Sequence, residues 1–135
     1  MSKGKLPKVL VIGHTKGIGK AIHDYYDNKG YKVKGLSRSN GYHLVDLHKF
    51  EKYIWAYDWI ILNAFYYGYQ LKLLKHIVRY HSSKRKKVIV ITSTSGTDVC
   101  FDKTLDINSY KEYSSYKKKL IKYIEKIQQE IINQP

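Results

Sequence analysis

The sequence holds a single cysteine, Cys100, which excludes a disulfide within the chain and any thiolate-rich metal site. No window approaches the roughly eighteen apolar residues of a membrane span, and the apolar run in the opening MSKGKLPKVLVIG is too short for a secretory signal. The expectation is a cytoplasmic protein with no membrane partner and no bound metal. Arginine is scarce as well. The formal charge of +14 ordinarily points to nucleic acid or an anionic surface, yet only three of the 25 cations are arginine. The chain is also rich in Ile, Tyr and Asn, all read from A/T-rich codons, so most of the charge reads as coding bias spread over solvated faces. SSKRKK (82–87) is the densest basic run, but it lies where a helix turns into a strand. Nucleic-acid binders concentrate arginine and interleave aromatics along one surface. A basic nucleic-acid-binding protein is therefore the third-ranked reading.

What is present is organised for one domain. At 135 residues the chain has enough length for a single core and none for a separate substrate domain. Four segments are short, β-branched and nearly all apolar, as strands buried on both faces are: KVLVIG (8–13), YKVKGL (31–36), WIILNA (59–64) and KVIVITS (87–93). The second is the most polar and suits a position near an edge. Helical spacing follows the first in Ile18, Ile22, Tyr25 and Tyr26, and recurs in Leu71, Leu74, Ile77 and Val78. The last stretch, from about Tyr110 to Ile132, sets Tyr113, Tyr116, Leu120, Ile124, Ile127 and Ile131 on one stripe with lysines opposite. Strands alternating with helices predict a parallel sheet with helices on both faces. YHLVDL (42–47) looks like a further strand, but only SRSNG separates it from the one before. A parallel crossover normally needs a dozen residues, so the segment is either merely extended or joined by a bare turn.

Directly after the first strand comes GHTKGIGKAI, a G-x-x-x-G-x-G that opens a helix. Glycines here permit a tight turn, a close approach of backbone to pyrophosphate and tight helix-to-strand packing, while the helix N-terminus offers unpaired N–H groups. A second feature is YSSYKKKL (113–120), in which Tyr113 precedes Lys117 by one helical turn. With 14 tyrosines in a lysine-rich chain, about two such pairs arise by chance, and Tyr25/Lys29 and Tyr80/Lys84 share the spacing. Spacing alone singles out none of the three.

Order along the chain does. Gly13, Gly17 and Gly19 in IGHTKGIG resemble the T-G-x-x-x-G-I-G fingerprint of the short-chain dehydrogenase/reductase family. VDL resembles the family's site where an aspartate, here Asp46, contacts the adenine ring. DWIILNAF resembles D-I-L-V-N-N-A-G and keeps Asn63 and Ala64. VIVITSTSG is similar to the strand that ends in the catalytic serine, here Ser93, and YSSYKKKL resembles Y-S-A-S-K-x-x-L.

The resemblance implies a three-layer, Rossmann-like α/β fold over residues 1–135, with four or five parallel strands in the order 3-2-1-4-5 and helices on both faces. It implies Ser93, Tyr113 and Lys117 as catalytic residues. The cofactor would rest on Gly13, Thr15, Lys16, Gly17, Ile18, Gly19, Ser37, Arg38, Ser39, Asp46, Leu47, Asn63, Ala64 and Lys117. NADP(H) is expected in preference to NAD(H): no Asp or Glu occurs from Asn28 to Val45, where an NAD enzyme carries an acid for the ribose 2′-hydroxyl, and Arg38 follows the second strand instead. Lys16 and Arg38 occupy positions where basic residues accompany NADP in the family, and Ser37 and Ser39 add hydroxyl donors.

The chemistry implied is reduction of a carbonyl or oxidation of an alcohol. Tyrosine has an ordinary pKa of about 10. An ammonium at ~4 Å and an effective dielectric near 20 favours the phenolate by about 4 kcal/mol before opposing effects, which brings it toward neutral pH. Tyr113 would donate the proton, Ser93 would polarise the same oxygen and Lys117 would also hold the nicotinamide ribose.

The chain departs from the family pattern in several places. No Asn falls between Phe65 and His81 to match the active-site asparagine. Phe65 replaces the glycine of N-N-A-G, and the interval from Ser93 to Tyr113 is longer than usual. The helix between the second and third strands and another before 66–81 are missing, as are the strands and substrate-covering segment that normally follow the Tyr/Lys helix. The leading expectation is a minimal oxidoreductase, and the alternative is an NADP-binding sensor or docking module that needs a partner. A homodimer or homotetramer through helices 66–81 and 110–132 is expected.

Overall fold

The computed structural model describes residues 6–81, 86–92 and 107–132. The chain divides into two compact units, Met1–Ile91 and Thr92–Pro135. The first runs β1 (Val9–Ile12), α1 (Gly17–Asn28), β2 (Val33–Leu36), two 3₁₀ turns (Arg38–Asn40 and Leu47–Phe50), α2 (Glu51–Ala56), β3 (Trp59–Leu62), α3 (Tyr69–His81) and β4 (Lys87–Val90). The second contains α4 (Ile107–Ile132).

The four strands form one parallel sheet in the order β2-β1-β3-β4, with Val9 paired to Val33 on one side and Trp59 on the other. All four residues of β1 are buried, as a central strand requires. Alternation then separates two faces. Val9, Val11 and Ile61 share one with Ile22 and Tyr26 of α1, together with Tyr31, Val33 and Trp59. Leu10, Ile12, Ile60 and Leu62 point the other way and are equally inaccessible, as are Phe50, Ile54, Leu73 and Ile77. Truncating any of these large side chains to alanine costs about 2–5 kcal/mol.

Local chemistry sets the ends of α1. Gly30, at φ +85°, closes it: its N–H donates to the Asp27 carbonyl and that of Tyr31 to the Tyr26 carbonyl, both at 3.1 Å. The beginning is different. Lys16 is the N-cap but makes no side-chain cap, and the first turn contains no acid. The first-turn N–H groups thus receive neither an N-cap side chain nor a carboxylate from their own turn.

Of the four or five strands expected in the order 3-2-1-4-5, the described residues form four, and their order, β2-β1-β3-β4, differs from the one expected. Residues 42–47 are not a strand but turns leading into a 3₁₀ turn, which leaves four strands among the described residues. The cause is the short connection. Gly41, at φ +94°, lets its N–H reach the Arg38 carbonyl at 3.1 Å, and the Tyr42 N–H returns to the Ser37 carbonyl at 2.8 Å. The chain is thereby held at the end of β2 instead of crossing back to lie beside it. Six residues of α2 also stand where no helix was expected before β3, anchored by fully buried Ile54 and preceded by fully buried Phe50. The expected strand bounds 8–13, 31–36, 59–64 and 87–93 each shrink to four residues.

In the second unit, α4 carries a less exposed stripe through Tyr113, Tyr116, Lys117, Leu120, Ile124 and Ile127, while Glu112, Lys119, Lys122 and Glu125 are exposed. Lys117 lies on this stripe, which corrects the expectation that the helix's lysines all face opposite it. It is four residues after Tyr113 and three before Leu120, and it is only 2 % exposed.

Candidate functional site

The chain leaves β1 for β2 on one side, then passes to β3 on the other side of β1. Such a reversal opens a crevice at the carboxyl ends of the strands, because the two connections leave the sheet edge in opposite directions. A cleft of about 670 Å³ occupies this position. Gly13, Thr15 and Lys16 line it from the end of β1, Ser37, Arg38, Ser39, Tyr42, His43 and Leu44 from the end of β2, and Asn63, Ala64, Phe65 and Tyr66 from the end of β3.

Each loop is held by specific contacts. Gly13, at φ +92°, has no room for a side chain, since a Cβ would stand 2.7 Å from the Ala64 backbone nitrogen. The Asn63 and Ala64 N–H groups both donate to the Ile12 carbonyl, at 3.0 and 2.9 Å. Asn63 Nδ2 donates to the Gly13 carbonyl at 2.9 Å. The amide thus ties the β1 and β3 loops together. Gly19 lies beneath this contact: a Cβ on it would collide with the Gly13 carbonyl oxygen and stand 2.5 Å from Asn63 Nδ2. Gly17 differs from both. Its φ is +60° and the space where its Cβ would be is open, so it presents bare backbone at the start of α1.

The β2 loop is a small hydrogen-bonded frame. Asn40 Oδ1 accepts from the Ser37 N–H at 2.8 Å, and Asn40 Nδ2 donates to the Gly35 carbonyl at 2.9 Å. The Ser37 and Ser39 hydroxyls share one bond of 2.6 Å. Because that bond uses one hydroxyl proton, the other remains to donate elsewhere. Arg38 is exposed at the rim, and neither it nor Lys16 makes an ion pair or a side-chain hydrogen bond among the described residues. The lining therefore carries two cations and no carboxylate.

Histidine and tyrosine contacts surround the cleft. The His14 imidazole fills the space that a Cβ on Gly35 would need, which locks the β1 loop to β2. Burial, and next the neighbouring His23 at a ring separation of 5.2 Å, hold His14 below its usual pKa. Asp24 is held below the ordinary carboxylate range by the hydrogen bond from Lys20, at 2.6 Å, and then by His23. Farther along, Tyr42 and Tyr53 join their hydroxyls at 3.0 Å; that bond pushes Tyr42 up and Tyr53 down, with Lys52 and Lys34 adding to the second shift.

Of the residues expected to hold a cofactor, Gly13, Thr15, Lys16, Ser37, Arg38, Ser39, Asn63 and Ala64 line one cleft. Gly17, Ile18, Gly19, Asp46 and Leu47 do not. Gly17 and Gly19 shape the helix start instead, Ile18 is largely exposed, and Asp46 precedes the 3₁₀ turn at Leu47 with its side chain exposed. Tyr42, His43, Leu44 and Tyr66 line the cleft without having been expected there. Their signal was positional: they follow the carboxyl ends of strands flanking the reversal. Ser93 lies outside the described residues. Tyr113 and Lys117 belong to the second unit, where the Lys117 ammonium lies 5.5 Å from the centroid of the Tyr113 ring. Burial brings the Lys117 pKa down to about 8.

Among the described residues no group of three or more His, Cys, Asp or Glu is placed to hold a metal ion, and no helix is long and apolar enough to cross a membrane. The chain matches no protein-family model and no curated protein.

Proposed function

We propose that the chain is a minimal NADP(H)-dependent oxidoreductase of the short-chain dehydrogenase/reductase type, built on a Rossmann-like sheet and acting on a carbonyl or an alcohol. One observation carries the reading: a cleft at the sheet's reversal point, lined by a glycine turn, two cations and two serines and by no carboxylate. The residues fit the cofactor on their own chemistry. Gly17 offers bare backbone beside uncapped N–H groups, which suits pyrophosphate. Arg38 and Lys16, with the spare hydroxyl proton of the Ser37/Ser39 pair, suit a 2′-phosphate.

Bound NADPH supplies a hydride. The chain's own residues would orient the cofactor and handle the proton: Tyr113 would donate it to the carbonyl oxygen, Ser93 would polarise that oxygen, and Lys117 would keep a positive charge beside Tyr113 and bind the ribose. With a pKa of about 8, Lys117 is still mostly protonated at pH 7. Loss of its charge at higher pH removes the support for proton transfer. The test is NADPH consumption with a panel of aldehydes and ketones. The reading predicts turnover that falls at least 100-fold in Tyr113→Phe without loss of NADPH binding. Turnover that survives this substitution refutes the role of Tyr113.

A second reading is an NADP-binding sensor or docking module. Phe65 favours it, because it lines the cleft where the family keeps a glycine. Tight NADPH binding with no turnover of any carbonyl selects this reading over the first.

A further inference from the structure

The cleft contains an aromatic corner that neither the glycine loop nor the phosphate-binding cations explain. The rings of His43 and Tyr66 meet at 83° with centroids 4.5 Å apart, and both residues line the cleft together with buried Leu44. The corner is built from two strand ends. His43 comes from the hooked segment after β2, and Tyr66 from the loop after β3.

Both rings are held in place. The Val45 N–H donates to His43 Nδ1 at 3.2 Å, so the neutral imidazole carries its proton on Nε2 and keeps one donor free of that contact. The Asp46 N–H donates to the His43 carbonyl at 2.9 Å and closes the turn. Tyr66 rests against Tyr67 at 4.7 Å and 87° and against Tyr69 at 5.9 Å, and its carbonyl accepts from the Tyr69 N–H at 2.9 Å. Neither His43 nor Tyr66 is fully buried, and both line the cleft. Asp46, the residue expected to contact the adenine ring, is exposed and does not line the cleft.

We infer that His43 and Tyr66 form the base subsite of this cleft, holding a planar purine by stacking against an imidazole–phenol corner instead of by a carboxylate that accepts from its amine. The inference rests on the cofactor reading above and adds a specificity to it. Stacking is tolerant of base identity because every base has a π-face, whereas a carboxylate acceptor requires the amine. The subsite therefore accepts hypoxanthine in place of adenine.

The test is calorimetric titration of the full chain with 2′,5′-ADP, inorganic pyrophosphate, NADPH and the hypoxanthine analogue deamino-NADPH, with far-UV circular dichroism to verify folding. His43→Ala and Tyr66→Ala are expected to weaken 2′,5′-ADP by roughly 5- to 100-fold while leaving pyrophosphate unchanged. Tyr66→Phe, which keeps the ring, is expected to bind like the wild type. Deamino-NADPH is expected to bind within about 3-fold of NADPH, since only an interaction with the amine, on the order of 1 kcal/mol or more, separates them otherwise. The inference is overturned if both alanine variants bind 2′,5′-ADP as the wild type does, or if deamino-NADPH binds more than about 10-fold weaker than NADPH. Wild-type chain that binds neither 2′,5′-ADP nor NADPH overturns the cofactor reading, and this inference with it.

Discussion

Replacing Gly19 with alanine drives a methyl group into the Gly13 carbonyl oxygen and to 2.5 Å from Asn63 Nδ2. These atoms are the two partners of the 2.9 Å bond that ties the β1 and β3 loops. Alanine is intrinsically better than glycine inside a helix by about 1 kcal/mol, so a position governed by propensity alone becomes more stable. Here two costs oppose that gain. Forcing a methyl into filled space costs about 1–3 kcal/mol, and separating a part-buried amide from its carbonyl costs about 1 kcal/mol more. The net expectation is a loss of about 1–3 kcal/mol, together with weaker NADPH binding because the glycine turn moves. Gly30→Ala provides the comparison. Gly30 is at φ +85° with open space around it, so alanine there incurs only the left-handed backbone cost of about 1–2 kcal/mol and leaves the cleft untouched. Urea unfolding followed by circular dichroism reads both variants, with the m-value checked for constancy. A Gly19→Ala midpoint equal to or above that of the wild type refutes the steric argument. So does NADPH affinity that falls equally in Gly19→Ala and Gly30→Ala.

Three further outcomes are expected. Asn40→Ala removes both bonds that frame the Arg38 turn, the one to the Ser37 N–H and the one to the Gly35 carbonyl, and should cost about 1–3 kcal/mol in urea unfolding and weaken NADPH more than NADH. Lys117 bears on the pH dependence of stability. Burial lowers its pKa from 10.5 to about 8, so in that window the unfolded chain holds a proton that the folded chain has released, and stability rises with pH. Lys117→Met is accordingly expected to gain stability relative to the wild type as pH falls, with the relative gain lost between about pH 8 and 10.5; a pH-independent difference contradicts the buried cation. Light scattering on the purified chain should give a mass at least twice 15.9 kDa if it pairs through its long helices, and a mass of 15.9 kDa rejects that pairing.

The parts of the fold most legible in the sequence are those where one residue type answers one physical demand. Gly13, Gly17 and Gly19 could be placed in a strand-loop-helix because close contacts exclude a side chain at the first and third and a left-handed backbone disfavours one at the second. Arg38 could be assigned to the end of the second strand because it follows YKVKGL directly. YHLVDL was misleading for a definite reason. Its alternation is that of a strand, but the five preceding residues close a turn through Gly41 and leave it hooked at the cleft. That hook moves Asp46 out of the lining and brings Tyr42, His43 and Leu44 in. In a chain with 14 tyrosines, no local pattern marks Tyr66 as different from its neighbours. The short α2 escaped because six residues span under two turns, too few for helical periodicity to register. Lys117 was misjudged as a surface residue: the lysines of the last helix were expected opposite its apolar stripe, whereas the interval of four from Tyr113 and three to Leu120 puts Lys117 on it.

The central claim is that the cleft at the strand ends binds NADP(H) through Arg38 and its neighbours. Fluorescence titration of the wild-type chain and of Arg38→Gln with NADPH and NADH, at one fixed low salt concentration, addresses it most directly. A charge-assisted contact to a 2′-phosphate is worth about 1.5–3 kcal/mol, so the account predicts NADPH binding at least 10-fold tighter than NADH, with the difference largely abolished in Arg38→Gln. Equal affinity for the two cofactors, or no binding of either, contradicts it.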